Sequence, residues 1–156
     1  MLRRSVRRLF TLRPLPTGPI GVGDSCKTSR TFTADDVAAF GKLVGDNNPI
    51  HFNDEAAKAA GFKGRIVHGM LVSSIFSEMM GMNLPGKHTI YMSQTLKFTA
   101  PVYIGDEINF AVTIKTVDPS KGDIVMETLA LRATDGRPVV KGEAKGRNTV
   151  IKFRES

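Results

Sequence analysis

The sequence predicts an α+β domain in which a curved antiparallel sheet wraps around one buried helix. Three observations carry this. A strand and two or three helical pieces come first, and four strands joined by short connections follow. Residues 70–82 are apolar on most faces, which suits a helix inside a fold better than one on its surface. From His88 onward the apolar period changes to two, the period of a strand. Short connections imply neighbouring antiparallel strands. A sheet with one apolar face needs a cover, and the 70–82 helix is the economical one.

The elements follow in order. Gly23-Asp24 opens a short strand that runs to about Phe32. Thr33 is placed as a helix N-cap, with Asp36 three residues on as an acidic capping box and Phe32 and Val37 as its hydrophobic staple. Val37, Phe40 and Val44 form one apolar helix face, and Gly45 stops the helix. Asp46-Asn47-Asn48-Pro49 is turn chemistry. A short helix over 54–60 ends at Gly61, a loop carries Lys63-Gly64-Arg65, and the 70–82 helix ends at Leu84-Pro85-Gly86. In the next strand Ile90, Met92, Gln94, Leu96 and Phe98 alternate with Tyr91, Ser93, Thr95 and Lys97. Pro101 and Gly105-Asp106 mark a bend. Ile108, Phe110, Val112 and Ile114 point one way on the following strand. A hairpin loop spans 118–123, and Asp135-Gly136 turns a second hairpin between strands over 124–133 and 138–150.

Composition supports a single domain with its own core. The chain has 156 residues, 41% of them hydrophobic, and nine Phe, so no disulfide staple is needed. Its one cysteine, Cys26, has no cationic neighbours arranged to activate it and reads as incidental. No apolar run reaches the roughly 18–20 residues that span a bilayer, so no membrane partner is expected. The net charge of +7 is concentrated at the start. Residues 1–23 hold Arg3, Arg4, Arg7, Arg8 and Arg13 and no acid, which leaves 17 basic against 15 acidic side chains in the rest. An acid-free, Arg-rich segment with Leu2, Val6, Leu9 and Phe10 at helical spacing reads as a mitochondrial presequence and linker over 1–23, ahead of a domain over 24–156. A disordered basic tail and a nucleic-acid-binding arm are the alternatives. No zinc spacing, Walker-type loop or interleaved aromatic and basic patch supports nucleic-acid binding.

Chemistry concentrates in two segments. Gly45-Asp46-Asn47-Asn48-Pro49-Ile50-His51 places a carboxylate, a carboxamide and an imidazole on one loop stiffened by Pro49. Histidine titrates near neutrality, and a nearby carboxylate can share its proton work. An Asx turn followed by a surface histidine is the plain alternative. The second segment is Ile66-Val67-His68-Gly69-Met70-Leu71, at the start of the apolar helix. The free N–H groups of a helix N-terminus suit a developing oxyanion, and Gly69 lets a ligand approach the backbone. Gly69 also fits as a tight-packing glycine, and His68 as a packing residue. His51, His68 and His88 lack ligand spacing with Cys or acid partners, so no metal is expected.

These two segments together resemble the hydratase 2 motif of the (R)-specific enoyl-CoA hydratases and MaoC-like proteins, with Leu84-Pro85-Gly86, Ile90-Tyr91, Phe98 and Gly105-Asp106 as further matches. With its basic leader, the chain is most similar to mitochondrial hydroxyacyl-thioester dehydratases. The resemblance implies a hotdog fold, a homodimer whose sheets join, and no cofactor beyond the phosphopantetheine that carries the substrate. It implies Asp46 and His51 as the catalytic pair, Asn48 as an orienting amide and the Gly69 N–H as oxyanion donor. The implied reaction is (R)-specific, reversible loss of water from a 3-hydroxyacyl group carried on acyl carrier protein in mitochondrial fatty acid synthesis. The alternatives are a hydratase restricted to CoA esters and a non-catalytic acyl-binding module. Leu71, Ile75, Phe76 and Met79 are candidates for an acyl pocket as well as for plain core. Lys63, Arg65, Lys87 and Lys97 are candidates to meet the carrier, or ordinary solvated charges.

Overall fold

The computed structural model describes residues 18–154. Most of the segment expected to be a presequence, up to Thr17, lies outside the described residues. The elements run β1 (Ser25–Thr31), α1 (Ala34–Val44), a 3-10 turn (Pro49–His51), α2 (Asp54–Ala59), α3 (Gly69–Glu78), a π-helical turn (Met79–Asn83), β2 (Ile90–Phe98), β3 (Glu107–Asp118), β4 (Asp123–Arg132) and β5 (Pro138–Arg147). The five strands form one sheet in the order β1-β3-β4-β5-β2, with every pairing antiparallel.

Helix α3 lies against one face of this sheet because its buried side chains and the sheet's are the same core. Val72, Ile75, Phe76, Met79 and Met80 pack with Ile108, Phe110, Val112, Ile114, Ile124, Met126, Val140 and Ala144. The Phe76 ring meets Phe110 edge-on, with centroids 5.6 Å apart. Each fully buried Phe side chain contributes roughly 1.5–3 kcal/mol by leaving water. The α3 helix stops at Glu78 and widens into the π turn, where Leu84 N–H donates to Met79 O across five residues. The expected single helix over 70–82 is therefore an α-helix followed by a wider turn.

Local signals at α1 act as expected. Thr33 and Asp36 form a reciprocal capping box, and Gly45 closes the helix at φ 80°, a left-handed conformation that glycine adopts without strain. The folded body begins ahead of Asp24. Ile20 is buried, its N–H donates to Lys152 O, and it bridges to Phe153. Its Pro and Gly neighbours hid that packing role.

The alternation expected along β2 breaks once. The register with β5 shifts between Tyr91 and Ser93, so Met92 forms a bulge. Tyr91 and Leu96, which have opposite parity in the sequence, both pack on the core. An inserted residue reverses the phase of a strand. Strand β2 is also an edge strand, and Ile90, Met92 and Phe98 are exposed along it. Cys26 is buried on β1, and burial pushes its thiol up to about 12, so it is inert as a nucleophile.

Candidate active site

The loop after α1 is shaped by its own side chains. Asp46 Oδ1 accepts from Asn48 N–H at 3.2 Å, and Asn48 Oδ1 accepts from Ile50 N–H at 3.3 Å, which starts the 3-10 turn ending at His51. This turn directs the His51 ring inward, where it is 7% exposed. The segment leading into α3 is pinned from both sides. Ile66 N–H donates to Ile50 O, and Val67 N–H donates to Val102 O. Arg132 holds the neighbouring 101–106 stretch, bonding Pro101 O and Asp106. The chain therefore delivers His68 and Gly69 beside the loop.

His51 Nδ1 lies 2.8 Å from Ile66 O. A carbonyl only accepts, so Nδ1 carries the hydrogen and Nε2 keeps its lone pair in the neutral ring. His51 and Gly69 line one cavity of about 530 Å³, together with Phe62, Ile66, Met70, Phe98 and Val140 among others. That size lies in the range of small-molecule sites. Gly69 is the first residue of α3, and no side chain caps the helix start, so its N–H has no intrahelical acceptor. The Phe98 ring packs directly over Gly69, where an added Cβ would sit 2.7 Å from Phe98 Cε1.

Asp46, His51 and His68 converge, with one ligand-type atom of each within 4.8 Å of the others. His68 is the member that sequence spacing missed as part of this group. It is buried, its Nε2 lies 3.0 Å from Asp46 O, and its ring stacks on His51 with centroids 3.8 Å apart and 25° between planes. Stacked imidazoles direct their in-plane lone pairs side by side, and His68 Nε2 already donates to a carbonyl. The donor set therefore does not suit one metal ion, despite two histidines and a carboxylate in reach. The Asp46 carboxylate is half-exposed, with Oδ2 3.9 Å from His68 Nε2.

Other expected residues fall elsewhere. Asn48 spends its carboxamide oxygen on the turn and is not among the cavity's lining. Leu71, Ile75, Phe76 and Met79 line neither the main cavity nor a second one of about 310 Å³ on the other side of Met70. Ile75, Phe76 and Met79 are core, and Leu71 packs against it. Successive helix residues turn by about 100°, so the face toward the sheet is largely not the face toward the cavities; Val72 belongs to both. Gly69, Met70 and Val72 face the main cavity, and Met70, Ser73, Ser74 and Ser77 face the second. Phe98, read beforehand only as a strand position and a family match, lines the cavity as well. Arg65 pairs with Asp54, and Lys63, Lys87 and Lys97 are exposed.

A buried imidazole with a free lone pair, a carboxylate near it and an uncapped helix N–H at an apolar cavity are groups able to move protons next to a carbonyl. The sheet and central helix around them are those of the hotdog hydratases. The chain belongs to the MaoC-like domain family, whose description matches residues 20–135. It is 40% identical over 124 residues to a protein of Arabidopsis thaliana named mitochondrial 3-hydroxyacyl-[acyl-carrier-protein] dehydratase, covering 80% of this chain and 65% of that protein's length. It is also 40% identical over 123 residues to the (R)-specific enoyl-CoA hydratase of Aeromonas caviae, covering 79% and 91% of the two chains. The solved structure of an (R)-hydratase from A. caviae superposes with a TM-score of 0.79 at 37% identity, covering 83% of this chain and 97% of that one.

Proposed function

We propose that this chain removes water reversibly from (R)-3-hydroxyacyl thioesters to give trans-2-enoyl thioesters, acting on acyl carrier protein in mitochondrial fatty acid synthesis. The observation that carries the reading is the free Nε2 of His51, set by the Nδ1–Ile66 bond, at a cavity shared with the Gly69 N–H. In the hydration direction, water is held by His51 and Asp46. Its oxygen bonds C3 while the pair takes one of its protons. The electron pair of the C2–C3 double bond moves onto the thioester, and the Gly69 N–H donates to the carbonyl oxygen that carries the charge. A proton from the pair then reaches C2, and both groups return to their starting states. Dehydration is the same path reversed. A proton relay and a backbone donor suffice for this chemistry, so the reading calls for no resident metal or cofactor. Asn48 acts by shaping the loop that carries Asp46 and His51.

The carrier reading draws on the Arabidopsis relative's name and on the acid-free, Arg-rich start of the chain, which also supports a mitochondrial location. The A. caviae relative's name supports CoA esters as the second reading. A homodimer fits the edge position of β2 and the exposed apolar side chains along it. The test is a hydration and dehydration assay on matched acyl-carrier-protein and CoA thioesters of (R) and (S) configuration. Activity on the (R) series alone is expected, faster on the carrier protein. His51→Ala and Asp46→Asn are expected to lower kcat by about 10²–10⁴. Wild-type rates in His51→Ala would remove the catalytic assignment.

A further inference from the structure

We infer that His68 is a positioning residue for the acid–base pair: its Nε2–H holds the Asp46 backbone while its ring face sets the plane of the His51 imidazole. This rests on the reading of Asp46 and His51 proposed above. His68 is 2% exposed and does not line the cavity, so it acts through its neighbours and not on the substrate. Its Nε2 lies 3.0 Å from Asp46 O, and that acceptor requires the hydrogen to be on Nε2. The bond ties the loop to the start of α3 across 22 positions of sequence. Nδ1 is then the unprotonated nitrogen, and it is buried with no partner. The His51 ring lies 3.8 Å away at 25°. Phe40 and Phe52 close other sides, with centroids 5.1 and 5.8 Å from His68.

His68 also occupies the N-cap position of α3, without a capping bond from its side chain, and immediately precedes Gly69. One sandwiched side chain thus fixes the spacing of the carboxylate, the imidazole and the oxyanion donor. Misplacing reacting groups by about 1 Å typically costs on the order of a hundredfold in rate. A residue placed this way governs kcat more than substrate binding.

The test uses the full chain as wild type, His68→Gln and His68→Phe. Gln keeps an N–H donor at about the reach of Nε2 and loses the aromatic face, whereas Phe keeps the face and loses the donor. For hydration of a trans-2-enoyl-CoA, His68→Phe is expected to lose about tenfold to a hundredfold in kcat, with KM within about threefold of wild type. His68→Gln is expected to recover part of that loss and to remain below wild type, because it keeps the tether without the ring face. Wild-type kcat in His68→Phe, or no recovery in His68→Gln, overturns the inference. A second measurement needs neither variant nor activity. Long-range proton–nitrogen spectra of the wild-type rings at about pH 8, where imidazoles are neutral, should place the hydrogen on Nε2 of His68 and on Nδ1 of His51. A His68 hydrogen on Nδ1 would sink the tether even in a well-folded chain. A wild type inactive on every thioester would instead sink the proposed reaction, and the spectra would still decide the role of His68.

Discussion

His51 presents one nitrogen to chemistry because the other is occupied. Ile66 O holds Nδ1 at 2.8 Å, and this second bond sets both ring orientation and tautomer. Gly69 is constrained in a different way. Its amide is useful only if the chain can approach closely, and the Phe98 ring fills the place of a side chain. Gly69→Ala keeps the N–H but drives a methyl group into that ring, a kind of overpacking that typically costs about 1–3 kcal/mol. The variant is expected to melt several degrees below wild type and to lose activity. Adding Phe98→Ala should restore most of the melting temperature, because it vacates the clashing space. Thermal unfolding of the single and double variants checks this, and equal melting temperatures for wild type and Gly69→Ala would refute it.

At the scale of elements, the loop that carries Asp46 and His51 is held by pieces on either side of it. The capping box at Thr33 and Asp36 sets where α1 begins, and Gly45 sets where it ends, so the loop leaves the helix in a fixed direction. The sheet beneath is closed by side chains as well as by its ladder. Asp123 on β4 accepts from Arg147 at 2.6 Å and pairs with Lys145 at 2.7 Å, both on β5. The Arg147 hydrogen bond, and then that of Lys145, hold the Asp123 carboxyl well below the usual carboxylate range. A carboxyl depressed in the folded state stabilises the fold above its unfolded pKa of about 3.9, and the contribution fades as pH falls toward the folded value. Asp123→Asn should therefore be less stable than wild type near neutrality, with the gap closing below about pH 4. Urea unfolding at a series of pH values measures the gap, and a gap independent of pH would contradict the assignment.

For the whole molecule, the edge formed by β2 is a surface feature that calls for a cover, because among the described residues β2 has a neighbouring strand on one side alone. Ile90 is 62% and Met92 47% exposed on it, beside the backbone groups of its open side. Natural sheets seldom leave such an edge open. Pairing of β2 with its copy in a second chain would continue the sheet and cover those side chains. Ile90→Lys is expected to shift the protein from dimer to monomer in light scattering while leaving its circular dichroism intact. A monomeric wild type, or a Lys variant of unchanged mass, would count against the pairing.

How much of this could be read beforehand depended on distance along the chain. Local chemistry was sufficient for the cap at Thr33, the stop at Gly45, the turns at Asp135-Gly136 and 118–123, and the strands carrying Ile108 to Ile114, because those signals act over a few residues. Asp46 and His51 were legible as a pair because one short, Pro-stiffened loop carries both. The convergence of His68 with them was not, since 22 positions separate Asp46 from His68 and hydrogen bonds between the two segments, at Ile66 and at the rings themselves, bring them together. The Met92 bulge, the burial of Ile20 and the choice of Met70 over Phe76 for the cavity wall were likewise settled by packing. Sequence determined which groups are available for proton transfer, through residue type and local spacing. The tertiary structure decided which nitrogen, which helix face and which wall they meet, because those depend on contacts between segments that no local pattern encodes.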